Sequence, residues 1–395
     1  MNRLFAFAWL VAIGSNGAEH YSQEFPYQGA VILAGAAYSV FVFRRQLLGL
    51  VFFKDYLLVL SMFVLPLLLM LLSDRSFDRG AYTSQIALPL VFVVASVLAV
   101  QADLDRTLAV AAFVIVAVGA VLNLYELLVS NNTWSIAPGR SGGFYVNPNV
   151  SSEALLGYGL IFLTARASKI RIVDLILMAL VIVGVFATFS RAGILASLVL
   201  LPAAALIRVQ REYVTRVVVG AVAISLLAFA FFSYVVRDLD LSKDATKRIE
   251  SLLEVGGVGD YREDRGHAAS EALELIGEYP VFGAGFRIYE MSEGPHNMFL
   301  AMMVNYGIGG LIVYLVVIIR LILIARRADR SLSRMVLAFV AWLVIFSFAS
   351  HNMLDNSATI PFMGFALARA FQIEFLRKES QFETLISQKT IPYGY

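Results

Sequence analysis

The 395-residue chain contains no cysteine, which excludes disulfides, thiolate metal sites and cysteine nucleophiles while leaving the redox compartment open. Charge is scarce too. Only 15% of residues are Asp, Glu, Lys or Arg, against about 25% in soluble domains, too few to cover a soluble surface. There is no Walker A loop, no HExxH and no zinc-ligand spacing. The phrases Asp238-Leu239-Asp240 and Asp103-Leu104-Asp105 are too short to argue for a metal. What fills the chain instead is apolar: 59% hydrophobic residues and a mean hydropathy of +0.76.

The apolar residues come in long runs, among them 56–72, 107–130, 172–188, 214–236 and 336–350. A helix needs about 20 mostly apolar residues to cross a bilayer. The runs lack the alternation of barrel strands, so the fold class is an all-α integral membrane protein. The expectation is about twelve transmembrane helices, centred near Trp9, Gly35, Phe63, Phe92, Val116, Gly159, Leu180, Ser197, Ser225, Leu311, Leu343 and Phe365.

Charge sorts the loops between these spans. Arg44, Arg45 and Lys54 follow the second span, and Arg106 the fourth. Arg166, Lys169 and Arg171 follow the sixth, and Arg208, Arg211 and Arg216 the eighth. Arg326, Arg327, Arg330 and Arg334 follow the tenth, and Arg377 and Lys378 the last. The positive-inside rule places these short basic loops, and both termini, in the cytoplasm. The N-terminal run after Arg3 has the look of a signal peptide; an uncleaved first span is expected. The odd-numbered loops then face outward: 73–83, 131–149, a tight turn at Ser190-Arg191, the long stretch 237–295 and 351–357. No internal repeat stands out. The chain reads as one polytopic domain, 1–395, with an outward helical insertion at 237–295 before the tenth span. Within it, apolar residues of 268–276 recur at helical spacing. Gly256-Gly257 and Gly259 break an earlier helical piece near 249–253, and Pro280 with Gly283–Gly285 ends the second.

Several outward residues have chemical potential. Arg140 sits in Pro138-Gly139-Arg140-Ser141-Gly142-Gly143-Phe144, followed by Asn147-Pro148-Asn149. The glycines permit close approach of a ligand, the amides offer donors, and the arginine fork suits diphosphate. A Gly-rich turn with a snorkelling arginine is the competing reading. Arg191 stands between apolar runs in Phe189-Ser190-Arg191-Ala192-Gly193. A charge at that depth usually faces a polar cavity or a partner. Arg265 lies in the charge run Asp260-Tyr261-Arg262-Glu263-Asp264-Arg265, where Arg262 is an equal choice on local grounds. His296 is one of four histidines and follows Gly294-Pro295. Imidazole titrates near pH 6.5 and suits a general base, and Asn297 is placed to hold its ring. His351-Asn352 repeats the His-Asn phrase in the last outward loop. The charges inside predicted spans, Glu126, Asp174, Arg320 and Arg369, all fall near span ends, which argues against an ion-coupled transporter.

Taken in order, four phrases resemble the O-antigen ligase and polymerase superfamily of bacterial membrane glycosyltransferases. They are Arg140-Ser-Gly-Gly-Phe with Asn147-Pro148-Asn149; Phe189-Ser190-Arg191-Ala192-Gly193; Arg265 with the helix ending Glu278-Tyr279-Pro280-Val281-Phe282-Gly283-Ala284-Gly285; and His296-Asn297-Met298-Phe299-Leu300 leading to Tyr306-Gly307-Ile308-Gly309-Gly310. The resemblance covers roughly the C-terminal two thirds of the chain. At one point the chain departs: Ala269 stands where the family often has tryptophan.

The resemblance implies a glycosyltransferase C-type fold in the bacterial inner membrane. It implies a glycan donor on undecaprenyl diphosphate, an acceptor hydroxyl on the periplasmic side, inversion at the anomeric carbon, and neither metal nor other cofactor. The family's arginines map to Arg140, Arg191 and Arg265 and its histidine to His296, giving catalytic roles to His296, Arg191 and Arg265 and substrate binding to Arg140; the local reading of the phrases adds Asn147, Asn149, Asn297 and His351 as substrate-binding residues. Glu153, Glu293 or Asp355 is the alternative base if His296 only positions the donor. The partners expected are the lipid-linked donor, either lipid A–core or a second lipid-linked glycan as acceptor, and membrane lipids, with no nucleic acid. The short loop 131–149 tips the choice toward a ligase over a polymerase. A lipid-linked sugar transporter is the alternative of another class.

Overall fold

The computed structural model describes residues 2–21, 27–51, 53–72, 79–100, 105–129, 134–137, 139–165, 170–206, 259–285, 294–327 and 330–389. The ninth predicted span, centred on Ser225, the helical piece near 249–253, Asp103, Asp238, Asp240 and Glu293 lie outside the described residues.

Within them the chain is helical, and strands are absent. The helices are α1 (Asn2–Gly14), α2 (Gly17–His20), α3 (Tyr27–Val42), α4 (Arg44–Val51), α5 (Lys54–Leu72), α6 (Arg79–Val100) and α7 (Asp105–Leu128). They continue with α8 (Pro148–Ala165), α9 (Ile172–Ala187), α10 (Arg191–Leu206), α11 (Gly259–Glu278), α12 (Met298–Ala325), α13 (Arg330–Ser347) and α14 (Ile360–Lys389). Every predicted span centre except Ser225 falls inside one of them. Segments 54–71, 106–128 and 298–325 are long and apolar enough to cross a membrane, and further helices are shorter apolar segments. The chain is a multi-pass membrane protein; a count of about twelve spans stays an expectation of the sequence.

The bundle is organised around α8, which is buried along almost its whole length from Val150 to Thr164. A helix apolar on every side belongs inside a core. It packs against α7, α9, α10 and α13. Close approach depends on small residues, the usual device of helix packing in lipid. A Cβ added at Gly157 would lie 3.0 Å from the Phe362 ring, and one at Gly159 would lie 2.8 Å from Val181. Around this centre, Leu195, Val199, Ile312 and Ile319 face outward and exposed, as helices surrounded by lipid require.

The loops that the charge pattern assigns to one side do meet at one end of the bundle. Asn16 Nδ2 donates to the Phe144 carbonyl at 2.9 Å, Tyr145 Oη to the Gly14 carbonyl at 2.6 Å, and Gln28 Nε2 to Ser357 Oγ at 2.9 Å. Contacts of the other set are separate from these. Arg320 pairs with Asp55 at 2.9 Å, Arg327 lies 3.6 Å from Glu374, and Gln372 Nε2 donates to the Val100 carbonyl at 2.9 Å.

Among the described residues of the insertion, the loop helix is α11, beginning at Gly259 and ending just before Pro280. Its trailing segment docks into an interruption of α12. Gly307 has φ 66° and ψ −162° inside that helix. Ile308 N donates to the Pro280 carbonyl at 2.9 Å and Ala284 N to the Val304 carbonyl at 2.7 Å. A Cβ on Gly307 would sit 2.1 Å from the Val281 oxygen, and one on Gly283 2.6 Å from Tyr306 N. The Pro280–Gly285 and Tyr306–Gly310 phrases are thus two halves of one backbone crossing that only glycine allows.

Candidate functional site

Three of the sequence phrases are helix starts. Asn147 precedes α8, and its Oδ1 accepts from Asn149 N at 2.9 Å; Pro148 follows at the first helical position, where its missing N–H costs nothing. Ser190 precedes α10, and its Oγ accepts from Gly193 N at 3.3 Å. Asn297 precedes α12, and its Oδ1 accepts from Phe299 N at 2.9 Å and Leu300 N at 3.2 Å. The residue just before each cap is left-handed and is not glycine: Val146 at φ 62°, Phe189 at φ 51° and His296 at φ 46°. Such conformations cost about 1–3 kcal/mol each and persist where the surroundings enforce them. A non-glycine residue at positive φ therefore stands before the cap of each of the three helices whose starts carry the family phrases.

These starts are tied together. Arg140 Nε donates to the Thr188 carbonyl at 3.0 Å, and its Nη2 to Asn149 Oδ1 at 2.7 Å. Ser190 Oγ donates to the same Asn149 oxygen at 3.2 Å. The arginine is half-buried and braced between the α9–α10 turn and the start of α8, which sets aside the snorkelling alternative. Arg191 is the first residue of α10 and is exposed. A Cβ on Gly193 would lie 2.5 Å from Ser152 Cβ, so α10 sits directly on the first turn of α8. The histidines form a second group. The His296 and His351 rings lie 5.2 Å apart at 75°, and the Gly294 backbone rests on the His351 imidazole, 2.4 Å from Nε2 to an added Cβ. Burial first, and then the neighbouring His296, push His351 down to about 4, so it is neutral at neutral pH.

Glu153, on α8 and 1% exposed, lies near Ser350, whose hydroxyl donates to Asn352 Oδ1 at 2.8 Å beside His351. Its Oε2 has no hydrogen-bond partner among the described residues. His351 lines a narrow cleft together with the polar Gln85, Asn305 and Asp355 and the apolar Met62, Met298 and Met302. The Gln85 carboxamide is fully buried and also has no partner among the described residues. The start of α8 thus ties Arg140, Asn147, Asn149 and the Arg191 turn together, and Glu153 on the same helix lies near Ser350, one residue from His351. Arg265 and Arg262 fall in the first half of α11, where only the backbone is described.

The structure revises the reading of the glycine loop. Gly142 N and Gly143 N donate to Glu126 Oε2 at 2.8 and 2.6 Å, with Ser141 Oγ at 2.9 Å. Glu126 Oε1 accepts from Trp134 N at 2.9 Å and from Ser135 N. The cradle expected to receive a ligand is filled by the chain's own carboxylate, fully buried at the end of α7. Glu126 holds the loop that carries Arg140. Nothing in the sequence pairs position 126 with 142 and 143; its one signal is a carboxylate at the end of an apolar run. Among the described residues, no group of three or more His, Asp and Glu is placed to hold a metal ion.

The arrangement concentrates positive potential. Helix starts carry about half a positive charge each and are ready anion sites. Two such starts, those of α8 and α10, are linked there through Arg140, Asn149 and Ser190, and the His296–His351 pair stands before a third. Binding of a lipid phosphate and proton transfer at an adjacent hydroxyl are the chemistry such a surface can do. No curated protein matches the chain. Residues 176–315 match the family model described as O-antigen ligase, a stretch running from within α9 through the Arg191 turn, α11 and His296 into α12; Arg140 and His351 lie outside it. The match spans about a third of the chain, so this segment is similar to the O-antigen ligase family, in keeping with the resemblance carried by the sequence phrases.

Proposed function

We propose that the protein is an O-antigen ligase of the inner membrane, both termini cytoplasmic, with 237–295 as a periplasmic insertion. It moves a glycan from undecaprenyl diphosphate to a hydroxyl of lipid A–core, with inversion and without a metal. Arg191 and Arg265, helped by Arg140, bind the diphosphate and stabilise its charge as it departs. His296 accepts the proton of the incoming hydroxyl. The acceptor oxygen bonds to the anomeric carbon as the bond from that carbon to the phosphate oxygen breaks, and the electron pair leaves with undecaprenyl diphosphate. Asn149 and His351 orient the two sides.

The observation that carries this reading is the linkage through the first turn of α8. Arg140 and Ser190 both bond Asn149, and Glu153, four residues on, lies near Ser350, one residue from His351 of the histidine pair. The phosphate-binding and proton-accepting groups of the proposal therefore border one element.

Purified protein in proteoliposomes, given lipid-linked glycan with and without lipid A–core, tests it. Transfer only when lipid A–core is present is the expected result, and laddering without it would make the protein a polymerase. His296→Ala is expected to lower transfer by about 10²–10⁴, and Arg191→Ala by about 10²–10³, the usual loss of one charge-stabilising donor. A folded His296→Ala protein with full transfer would remove the base from the scheme and turn attention to Glu153 or Asp355.

A further inference from the structure

A second cavity opens at the same end of the bundle, and its lining shares no residue with the His351 cleft. Its volume is about 760 Å³, within the roughly 300–1,000 Å³ of ligand pockets. Four rings line it, His20, Tyr21, Tyr27 and Trp134, over a floor of small residues that includes Gly17 and Ala18. The rings are held in place. His20 stacks on Phe144 at 4.4 Å and 23°. Trp134 meets His20 edge-on at 5.8 Å and Phe144 at 5.7 Å. Tyr21 meets Phe144 edge-on at 5.5 Å. The wall is anchored through Asn16 to the Phe144 carbonyl and through Trp134 N to Glu126.

We propose that this cavity is a saccharide subsite that holds the glycan of the lipid-diphosphate donor, with Trp134, His20 and Tyr21 as its stacking surface. The inference rests on the reading of Arg140 as a diphosphate ligand. Each lining ring offers an apolar face and a polar atom at its edge. A sugar ring offers the complement, a C–H face with hydroxyls around its rim. None of the described lining residues carries a formal charge at neutral pH; burial lowers the His20 pKa and keeps its imidazole neutral. That suits a neutral ligand and not a phosphate. A lipid tail would call for a wall of long aliphatic side chains. An aromatic belt would turn its rings toward the membrane interface, whereas these rings pack on one another around a cavity. The donor is favoured because Trp134 and Arg140 stand on one loop tied down by one carboxylate, Glu126.

The protein reports on the cavity by itself. It has three tryptophans; Trp9 is 3% and Trp342 0% exposed, which leaves Trp134 as the one a ligand can reach. The full chain in detergent is titrated with oligosaccharide released from the lipid-linked donor. Saturable quenching is expected, and it disappears in Trp134→Phe, which keeps a ring and leaves the backbone anchor intact. In kinetics, Trp134→Ala is expected to raise KM for the long-glycan donor about tenfold, the size of one lost aromatic contact, with kcat unchanged. A lipid-diphosphate monosaccharide, too short to reach the cavity, should show no change. Absence of quenching together with an unchanged KM in both Trp134→Ala and Tyr21→Ala would overturn the proposal and leave an aromatic belt. Quenching by polyprenol, or by core oligosaccharide but not donor glycan, would overturn it in favour of a lipid groove or an acceptor site. If the wild-type protein turns over no donor, the proposed function fails, while the quenching experiment still reads the cavity.

Discussion

Removing the Glu126 carboxylate should loosen one loop and disable one arginine. In Glu126→Ala, four backbone N–H groups, of Trp134, Ser135, Gly142 and Gly143, lose their acceptor, as does the Ser141 hydroxyl. Each buried donor left unpaired costs about 1–3 kcal/mol, so a rigid loop would lose more than the fold can spare. The hydroxyl rotates and water reaches the outer donors, and the expected net loss is about 3–5 kcal/mol, as for a buried charge network missing one member. Glu126→Gln is no safe replacement, because its NH₂ must face donors on one side; about 2–3 kcal/mol is expected. Hydrogen exchange in detergent reads this locally: the four amides should lose protection while α8 keeps its own. Transfer activity should fall with them, and Glu126→Gln combined with Arg140→Ala should lose no more than Arg140→Ala alone. Unchanged protection of Gly142 and Gly143 in Glu126→Ala would refute the reasoning, as would additive losses in the double variant.

Two other perturbations follow from the same geometry. Gly307→Ala places a Cβ 2.1 Å from the Val281 oxygen at a left-handed position; it should undock the segment 280–284 and make it cleavable in limited proteolysis, with α12 itself uncut. His351, held at about 4 by burial and by His296, has a folded-state pKa below its unfolded value near 6.5. Between those values the unfolded chain binds more protons, so the stability contributed by neutral His351 is present above about pH 6.5 and is lost as the pH falls toward 4. Thermal unfolding in detergent across that window should therefore flatten in His351→Gln.

The helices were legible because each is a long apolar run, and the charge alternation was legible because basic residues cluster at one set of ends. The ends at which α11 begins and stops follow directly from Gly259 and Pro280. The site was legible only as phrases. Ser190 and Asn297 read as neighbours of a functional arginine and histidine, yet both are helix caps. Asn149 reads as one amide among several and is the acceptor shared by Arg140 and Ser190. Glu126 stood out only as a carboxylate at the end of an apolar run, and Trp134 gave no signal, because their roles arise from contacts that hydropathy and local spacing do not encode. The crossing of Gly283 and Gly307 was hidden for the same reason: each glycine looks like ordinary loop or span punctuation until the other backbone is beside it.

The strain at Val146, Phe189 and His296 gives those phrases a physical purpose. A left-handed residue just before a polar cap turns the chain sharply enough for a helix to begin where the preceding segment ends. Glycine would adopt that turn more cheaply, and two of the three positions hold bulky apolar residues that are buried or partly buried in the bundle. The third is the imidazole. The tight turn brings the starts of α8 and α10, each with its share of the dipole, to the side where Arg140 is braced. Backbone conformation, helix polarity and guanidinium charge then act in one direction. Under the proposed function, binding the donor's diphosphate is the process that gains from all three, and that is the reason we assign to the strain.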